Sequence, residues 1–546
     1  MDEPTDKPAV QPYGTGVDPR TRSWHRVYGV RDPDGRVSRV PVPFAAGEHE
    51  LFQRLAAAGY RAPLLRAERT ALLRTLEAQE TGRRYTIATV PGWVEGTAAF
   101  ATAGRVFGAD PRSVLVDLGG LGANGRLQVS GTVSDWQTRV ATPALGNALA
   151  MFCIEVQFAA PLMVLTGDES GGVQAVGDSS IGKSSLLAGA DSVWGLGVES
   201  WHSTRNGLDL LAASHNDMPL LLDESQLAGE VPREVAETIL HAGYRLQGGR
   251  DKVRRTDQAP RWSWRLLFLG TSEKSQAEMA RDAGVRLQGG QVVRNVDVRA
   301  DAGRGMGVWE DLHGASSPAL FSDRFRENGR RYRGAAATAY LECLVADVAR
   351  DRPAVAAETR RDIGVFLREA MVSGAAGIEA RVARRFGLPY AGAMRARRYG
   401  VLGWSEKDIL EAALRCHARV ILPAHVLRPQ TAEESIGAVA GYILAERANF
   451  IDLRAHTGGL TSEEFAAAAG LVYPRGRHGV EFCFPAGVFR DRVCGGLSAR
   501  LVAQHLREAG LMHQQAGGKT TVTRDFPEPL GRARVVSVRE EILRQR

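Results

Sequence analysis

Short alternating runs of apolar and polar residues at Ser38–Pro43 and Arg84–Val90 predict strands, and Glu48–Ala58 between them has helical spacing. Together they predict an N-terminal α+β accessory domain over residues 21–135, preceded by a polar, Pro-containing stretch, residues 1–20, expected to be flexible. Over residues 136–334, apolar runs that close on loops and open into helices predict β–loop–α units and an α/β core. Residues 335–429 are rich in Ala, Arg and Leu at helical spacing and predict a helical region. Residues 430–546 predict a winged-helix-like C-terminal domain. There the amphipathic helix Leu497–Ala509 stops at Gly510, and Leu511–Gln515, the turn Gly517-Gly518 and Thr520–Thr523 read as a wing hairpin. Such modules dock on DNA or on protein. No tandem repeat or low-complexity tract interrupts the chain.

The most apolar stretch, Ala144 to Leu165, carries Asn147, Glu155, Gln157 and Pro161. Those polar groups are costly in a bilayer, so a buried helix is expected and no membrane association. The first residues lack the basic-then-apolar order of a secretion signal. The five cysteines are scattered without a zinc or redox spacing, so reduced thiols and a cytoplasmic location are expected. The net charge of +7 is mild for 546 residues, but the basic residues cluster. Arg250, Lys252, Arg254 and Arg255 form one group, and Arg324, Arg326, Arg330, Arg331 and Arg333 another. Such groups suit a polyanion or form a solvated face.

The chemistry concentrates in the α/β segment. Gly177-Asp178-Ser179-Ser180-Ile181-Gly182-Lys183-Ser184 fits G-x-x-x-x-G-K-[ST], between an apolar strand (Val173–Val176) and a helix that continues through Ser185 and Leu187. Its backbone N–H groups would wrap phosphates, Lys183 would reach the terminal phosphates of ATP, and Ser184 would bind Mg²⁺. Forty residues after Lys183, the run Met218–Leu222 closes on Asp223 and Glu224. Asp223 would hold Mg²⁺ through its water shell, and Glu224 would polarise the attacking water. A third apolar run, Trp264–Leu269, ends in Thr271 and Ser272, either of which could orient water near the γ-phosphate. Arg294, past that run, could reach a neighbouring subunit's nucleotide as an arginine finger. No N-K-x-D or T-K-x-D guanine-reading motif follows, which argues against a GTPase, and the paired acids favour hydrolysis over small-molecule phosphorylation. Arg250, Lys252 and Arg254 lie between the second and third runs, where a ring ATPase can project a hairpin onto a nucleic-acid backbone.

The phosphate loop, Ser192-Val193-Trp194-Gly195, Trp201–Leu208, His215-Asn216-Asp217 and Leu222-Asp223-Glu224 together resemble the domain-of-unknown-function family 927. Gly249, Lys252, Arg254, Gly289–Val298, Leu312-His313-Gly314, Pro91-Gly92-Trp93, Trp136 and Gly146-Asn147 fit it too, so the resemblance covers roughly residues 25–320. Such proteins occur on phages and integrative elements, and some relatives resemble replicative helicases of the minichromosome-maintenance type. The resemblance implies a hexameric AAA+ ring moving on single-stranded DNA in a central channel, with Arg294 as the finger and Lys252 and Arg254 on the channel hairpin. Longer relatives carry a primase module, and no zinc ribbon or acidic primase cluster stands in this sequence, so priming would need a separate primase or initiator as partner. The family tends to place glycines where Asp251 and Val253 stand, and a serine and glycine around Thr271 where Gly270 and Ser272 stand. A helix near Arg381–Phe386 offers Arg381, Arg384 or Arg385 as a second sensor. The function expected is an ATP-dependent DNA translocase or helicase for replication of a mobile element or prophage. The alternatives are a switch ATPase that remodels a protein, which would more often carry an aromatic-hydrophobic pair in its pore, and a nucleic-acid-sensing defence ATPase.

Overall fold

The computed structural model describes residues 9–79, 81–108, 113–121, 126–201, 205–223, 239, 246, 263–284, 287, 289–370, 377–423, 431–475, 479–494, 497–513 and 521–544. The chain forms two compact units. Among the described residues, one comprises those up to Lys274 together with Val293–Ile421, and the other comprises those of Ser275–Val292 and Leu422–Arg546.

The first unit opens with strands β1 (Val10–Val17), β2 (Trp24–Arg31), β3 (Val37–Pro43), β4 (Arg84–Ala88) and, after a small hairpin sheet of β5 (Gly92–Trp93), β6 (Phe100–Thr102) and β7 (Arg105–Phe107), β8 (Val114–Val116). Their five-stranded sheet runs β3-β2-β1-β4-β8. Helices α1 (Glu48–Ala57) and α2 (Arg66–Ala78) cover one face, packing Leu51, Phe52, Leu55 and Leu76 on Tyr28, Val30 and Val42. On the other face, glycines let neighbouring side chains lie against the sheet. A Cβ at Gly16 would stand 2.5 Å from Ile87 Cδ1, and one at Gly14 would stand 2.6 Å from Tyr85 Cε2. The expectation of a flexible segment over residues 1–20 is therefore corrected, because Val10–Val17 is a strand with β2 on one side and β4 on the other. Its Pro and two Gly residues give it a loop-like composition that hides the alternation.

The core of this unit is a parallel sheet of β9 (Gly171–Val176), β10 (Glu199–Ser200), β11 (Pro219–Asp223), β12 (Leu267–Ser272) and β13 (Asn295–Arg299), ordered β10-β11-β12-β9-β13. Every residue of α3 (Ala148–Ala159) is buried. The apolar run Ala148–Thr166 is long enough to cross a bilayer, but 94% of it is covered by the fold. Helices α4 (Lys183–Trp194) and α5 (Arg205–Ser214) alternate with the strands, and α6 (Pro318–Arg331) follows β13. Then come α7 (Ala335–Ala370), bent at Asp351 before Pro353, α8 (Ile378–Arg398) and α9 (Glu406–Ala418). The helical region is not a separate layer. Phe386 of α8 stacks on Phe152 of α3 at 4.9 Å, and Trp404 donates its indole N–H to the Ala141 carbonyl at 2.9 Å.

In the second unit, β14 (Ile451–Asp452), β15 (Leu471–Pro474), β16 (Val480–Pro485), β17 (Val522–Asp525) and β18 (Arg532–Arg539) form a sheet ordered β14-β15-β16-β18-β17. Helices α10 (Ala432–Ala445) and α11 (Ala499–Glu508) pack Val439, Ile443, Val502 and Leu506 on Phe482, Phe484 and Val536. The helix expected at Leu497–Ala509 and its stop at Gly510 (φ 70°) are present. The wing hairpin is corrected. Val522–Asp525 pairs antiparallel with β18, and Met512 meets Val538 instead of the 520–523 segment, so helix and strands join a five-stranded sheet. The Gly517-Gly518 turn lies outside the described residues.

Candidate nucleotide site

Because β9, β11 and β12 are parallel, Val176, Asp223 and Thr271 arrive at the same carboxyl edge. From Val176 the chain turns through Gly177–Gly182 into α4. The turn requires left-handed backbone at Ser180 (φ 62°) and Gly182 (φ 106°), and at Gly182 a Cβ would also stand 2.9 Å from Val308 Cγ2. Lys183 Nζ donates to the carbonyls of Gly177 (2.6 Å) and Asp178 (2.5 Å), folding the side chain back over its own loop. Ser184 Oγ donates to Asp223 Oδ2 at 3.1 Å, and Thr271 Oγ1 donates to Asp223 Oδ1. Partial burial lowers the Lys183 ammonium from its ordinary value, against the pull of Glu273, Asp223 and Asp178.

These residues line a cleft of about 700 Å³ that also takes in Ser179, Ser180, Ile181, Gly182 and Ser185. Gly177 and Asp178 are not among its lining residues, and their carbonyls hold Lys183, which is. The cleft has a second wall that sequence reasoning missed. Its residues are Gly305, Met306 and Gly307 after β13, and Ser317, Pro318, Ala319, Ser322, Asp323 and Arg326 at the start of α6. Ser317 caps α6 by accepting from Leu320 N at 3.3 Å, and Ser322 Oγ accepts from Trp309 Nε1 at 2.7 Å. Arg326 donates to Asp323 at 2.5 Å. Two glycines let α6 press on α4. A Cβ at Gly189 would meet the Phe325 ring at 2.3 Å, and one at Gly329 would meet the Ala188 carbonyl at 2.5 Å. The Ser-Pro start of an amphipathic helix and the basic cluster that includes Arg326 were the available signals for this wall.

The remaining candidates lie elsewhere. Arg294 precedes β13, and its carbonyl accepts from Gly172 N (2.8 Å) at the amino end of β9. Arg385 bonds the carbonyls of Glu169 (2.6 Å), Ser170 (2.8 Å) and Val293 (3.2 Å), while Arg384 pairs with Asp168 at 2.5 Å. Loss of solvent pushes the Arg385 guanidinium down to about 10, against the pull of Asp168 and Glu169, so it stays charged at neutral pH. Arg294, Arg381, Arg384 and Arg385 line one recess at this edge. Arg381, Arg384 and Arg385, offered as a second sensor, thus lie at the opposite edge from the phosphate loop of the same chain. Six-residue β9 separates them from the phosphate loop by about 20 Å. Glu224, Arg250, Lys252 and Arg254 lie outside the described residues. Among the described residues no cluster of three or more His, Cys, Asp or Glu side chains forms a metal site.

A parallel sheet whose carboxyl edge gathers a glycine-turned loop, a lysine, two hydroxyls and a carboxylate has the architecture of a nucleotide-binding α/β protein. Residues 11–259 match the family described as "Domain of unknown function (DUF927)". Among solved structures the chain is similar to one named "SCCmec type IV Cch - active helicase". That likeness has 16% identity and a TM-score of 0.59 and covers 98% of this chain and 94% of that chain, which speaks for a shared fold. No curated protein matches the chain in sequence.

Proposed function

We propose that the chain is an AAA+-type ATP hydrolase that works as a ring-forming DNA translocase or helicase in the replication of a mobile element or prophage. The observation that carries this reading is the joining of Lys183, Ser184, Asp223 and Thr271 in one cleft at the carboxyl edge of the sheet. The insertion of β12 between β9 and β11 supports the AAA+ assignment, because it sets Thr271 between the phosphate loop and Asp223. The likeness to a mobile-element helicase supports the DNA role.

On this reading, phosphate oxygens replace the Gly177 and Asp178 carbonyls as partners of Lys183. The backbone of Ser179–Gly182 donates to the β-phosphate at the start of α4. Ser184 and Asp223 offer oxygens 3.1 Å apart, which fits Mg²⁺, an ion that takes one or two protein oxygens beside phosphate and water. When bound, the ion neutralises charge on the phosphates. Thr271 holds the Asp223 carboxylate in register and orients water, which Glu224 polarises. Water oxygen bonds to the γ-phosphorus as the bond to the β,γ-bridging oxygen breaks, leaving ADP, phosphate and a proton. Gly305–Gly307 and the first turns of α6 face the rest of the nucleotide.

The test is ATP hydrolysis with and without single-stranded DNA. The expected outcome is stimulation of the wild type by DNA, loss of activity in Lys183→Ala, and basal activity without stimulation in Lys252→Ala. If DNA changes nothing and Lys252→Ala behaves as wild type, the translocase reading fails and a protein client is the better hypothesis.

A further inference from the structure

The N-terminal sheet carries an open aromatic pair that no helix covers. Trp24, the first residue of β2, is 45% exposed, and Phe44, just past β3, is 55% exposed. The Phe44 N–H donates to the Trp24 carbonyl at 2.8 Å, so the backbone fixes both rings at one corner of the sheet. Their centroids are 6.4 Å apart at a tilt of 38°, which leaves part of each ring face open. A guanidinium stands over each ring, Arg84 at 5.2 Å from the Trp24 centroid and Arg26 at 5.7 Å from that of Phe44. Arg84 is steadied by Thr15 Oγ1 at 2.7 Å, and Arg26 by Glu77 at 3.5 Å. The apolar core beneath α1 and α2 does not include these two rings.

Exposed large aromatics held in place mark an interaction surface. Flat rings flanked by guanidinium groups offer stacking faces for bases and charge for the linking phosphates, a combination suited to single-stranded nucleic acid. Charge complementarity favours that occupant, since Arg84 and Arg26 stand over the two rings. In the turn between β1 and β2, Arg20 donates to Ser263 O (3.3 Å) and Oγ (2.5 Å) and adds a further cation close in sequence to Trp24. We propose that Trp24 and Phe44, with Arg84 and Arg26, form a base-stacking site for single-stranded nucleic acid on the N-terminal sheet. The proposal rests on the DNA reading above for the chemistry of the partner but not for ATP hydrolysis.

The experiment is fluorescence anisotropy of a labelled oligothymidylate added to the full chain without ATP, with melting temperature as the control for folding. Trp24→Ala should weaken binding by about tenfold, and Trp24→Tyr should restore most of it. Arg84→Glu should weaken binding further as salt is lowered, and should reduce the salt slope by roughly one to two. Folded Trp24→Ala and Arg84→Glu chains that bind like the wild type would overturn the site. So would a wild type that ignores the oligonucleotide but binds polyglutamate through the same residues. Trp24-dependent binding in a chain whose hydrolysis ignores DNA would leave this site standing and remove the translocase reading.

Discussion

The two edges of the parallel sheet are built from opposite chemistry. At the carboxyl edge, Lys183, Ser184, Thr271 and Asp223 surround a cleft of about 700 Å³, and Lys183 is held by two backbone carbonyls that a phosphate can replace. At the amino edge the polar groups serve the fold itself. Arg385 joins three carbonyls, Arg384 pairs with Asp168, and Asp217 bonds both Arg265 (2.8 Å) and Trp93 N (3.1 Å). One edge keeps hydrogen-bonding capacity in reserve for a ligand, whereas the other spends it on closing the structure. The two edges are also too far apart for Arg294 to serve the phosphate loop of its own chain. If Arg294 takes part in hydrolysis, the nucleotide it serves belongs to a second copy.

The largest expected effect tests that separation. Arg294→Ala should cut hydrolysis by about a thousandfold while nucleotide still binds. Mixing it with Lys183→Ala should recover a measurable fraction of the activity, because an intact phosphate loop from one chain then meets an intact Arg294 from the other. A mixture no more active than its components would place the finger elsewhere.

A smaller effect separates the arginines of the amino edge from one another. Arg385→Ala removes the donors to Glu169, Ser170 and Val293 and should destabilise the chain by about 3 kcal/mol in calorimetric unfolding. Arg381 is exposed, so Arg381→Ala should change stability by no more than about 0.5 kcal/mol. Any loss of hydrolysis in Arg381→Ala at unchanged stability would then report on a neighbour's nucleotide. If Arg385→Ala unfolds like the wild type, its clamp is not structural and the contrast between the edges weakens.

The carboxyl edge was largely legible in the sequence because its parts are local. The phosphate loop is one contiguous octapeptide, and Asp223 and Thr271 each close an apolar run whose composition announces a buried strand. The second wall of the cleft was not legible, because Gly305–Gly307 reach the loop through the pairing of β13 with β9 and the bond from Val308 N to the Ile181 carbonyl (3.0 Å), and Ser322–Arg326 reach it through the crossing of α6 over α4, set by Gly189 and Gly329. Helical spacing near Arg381–Phe386 was readable, but which edge of the sheet those arginines face depends on topology. In the C-terminal unit, the Gly517-Gly518 signal suggested a hairpin before residue 520, whereas β17 pairs forward with the next strand, β18, across the turn closed by Phe526 N and the Gly531 carbonyl (2.8 Å).

The smallest expected effect is a pH dependence of the closed edge. His215 sits in the turn before β11, wholly buried, with Nδ1 2.9 Å from the Leu211 carbonyl and 3.1 Å from Ser214 Oγ. Burial lowers its imidazolium to about 4 from 6.5, although the Leu211 bond pulls the other way. Between those two values the unfolded chain binds a proton that the folded chain refuses, so acid favours unfolding. The stabilisation is fully present above about pH 6.5 and is lost as pH falls toward 4, amounting to about 2 kcal/mol by pH 5. Chemical denaturation at pH 7 and pH 5 should show this loss in the wild type, and His215→Gln should show a shallower one. The next residues, Asn216 and Asp217, bond to Pro91 O and Trp93 N, so the same acidification should loosen the join between this turn and the β5 segment. Hydrogen exchange at Trp93 should rise before exchange along α4. An equal rise at both would mean that the two edges open together, and that their difference in chemistry does not extend to stability.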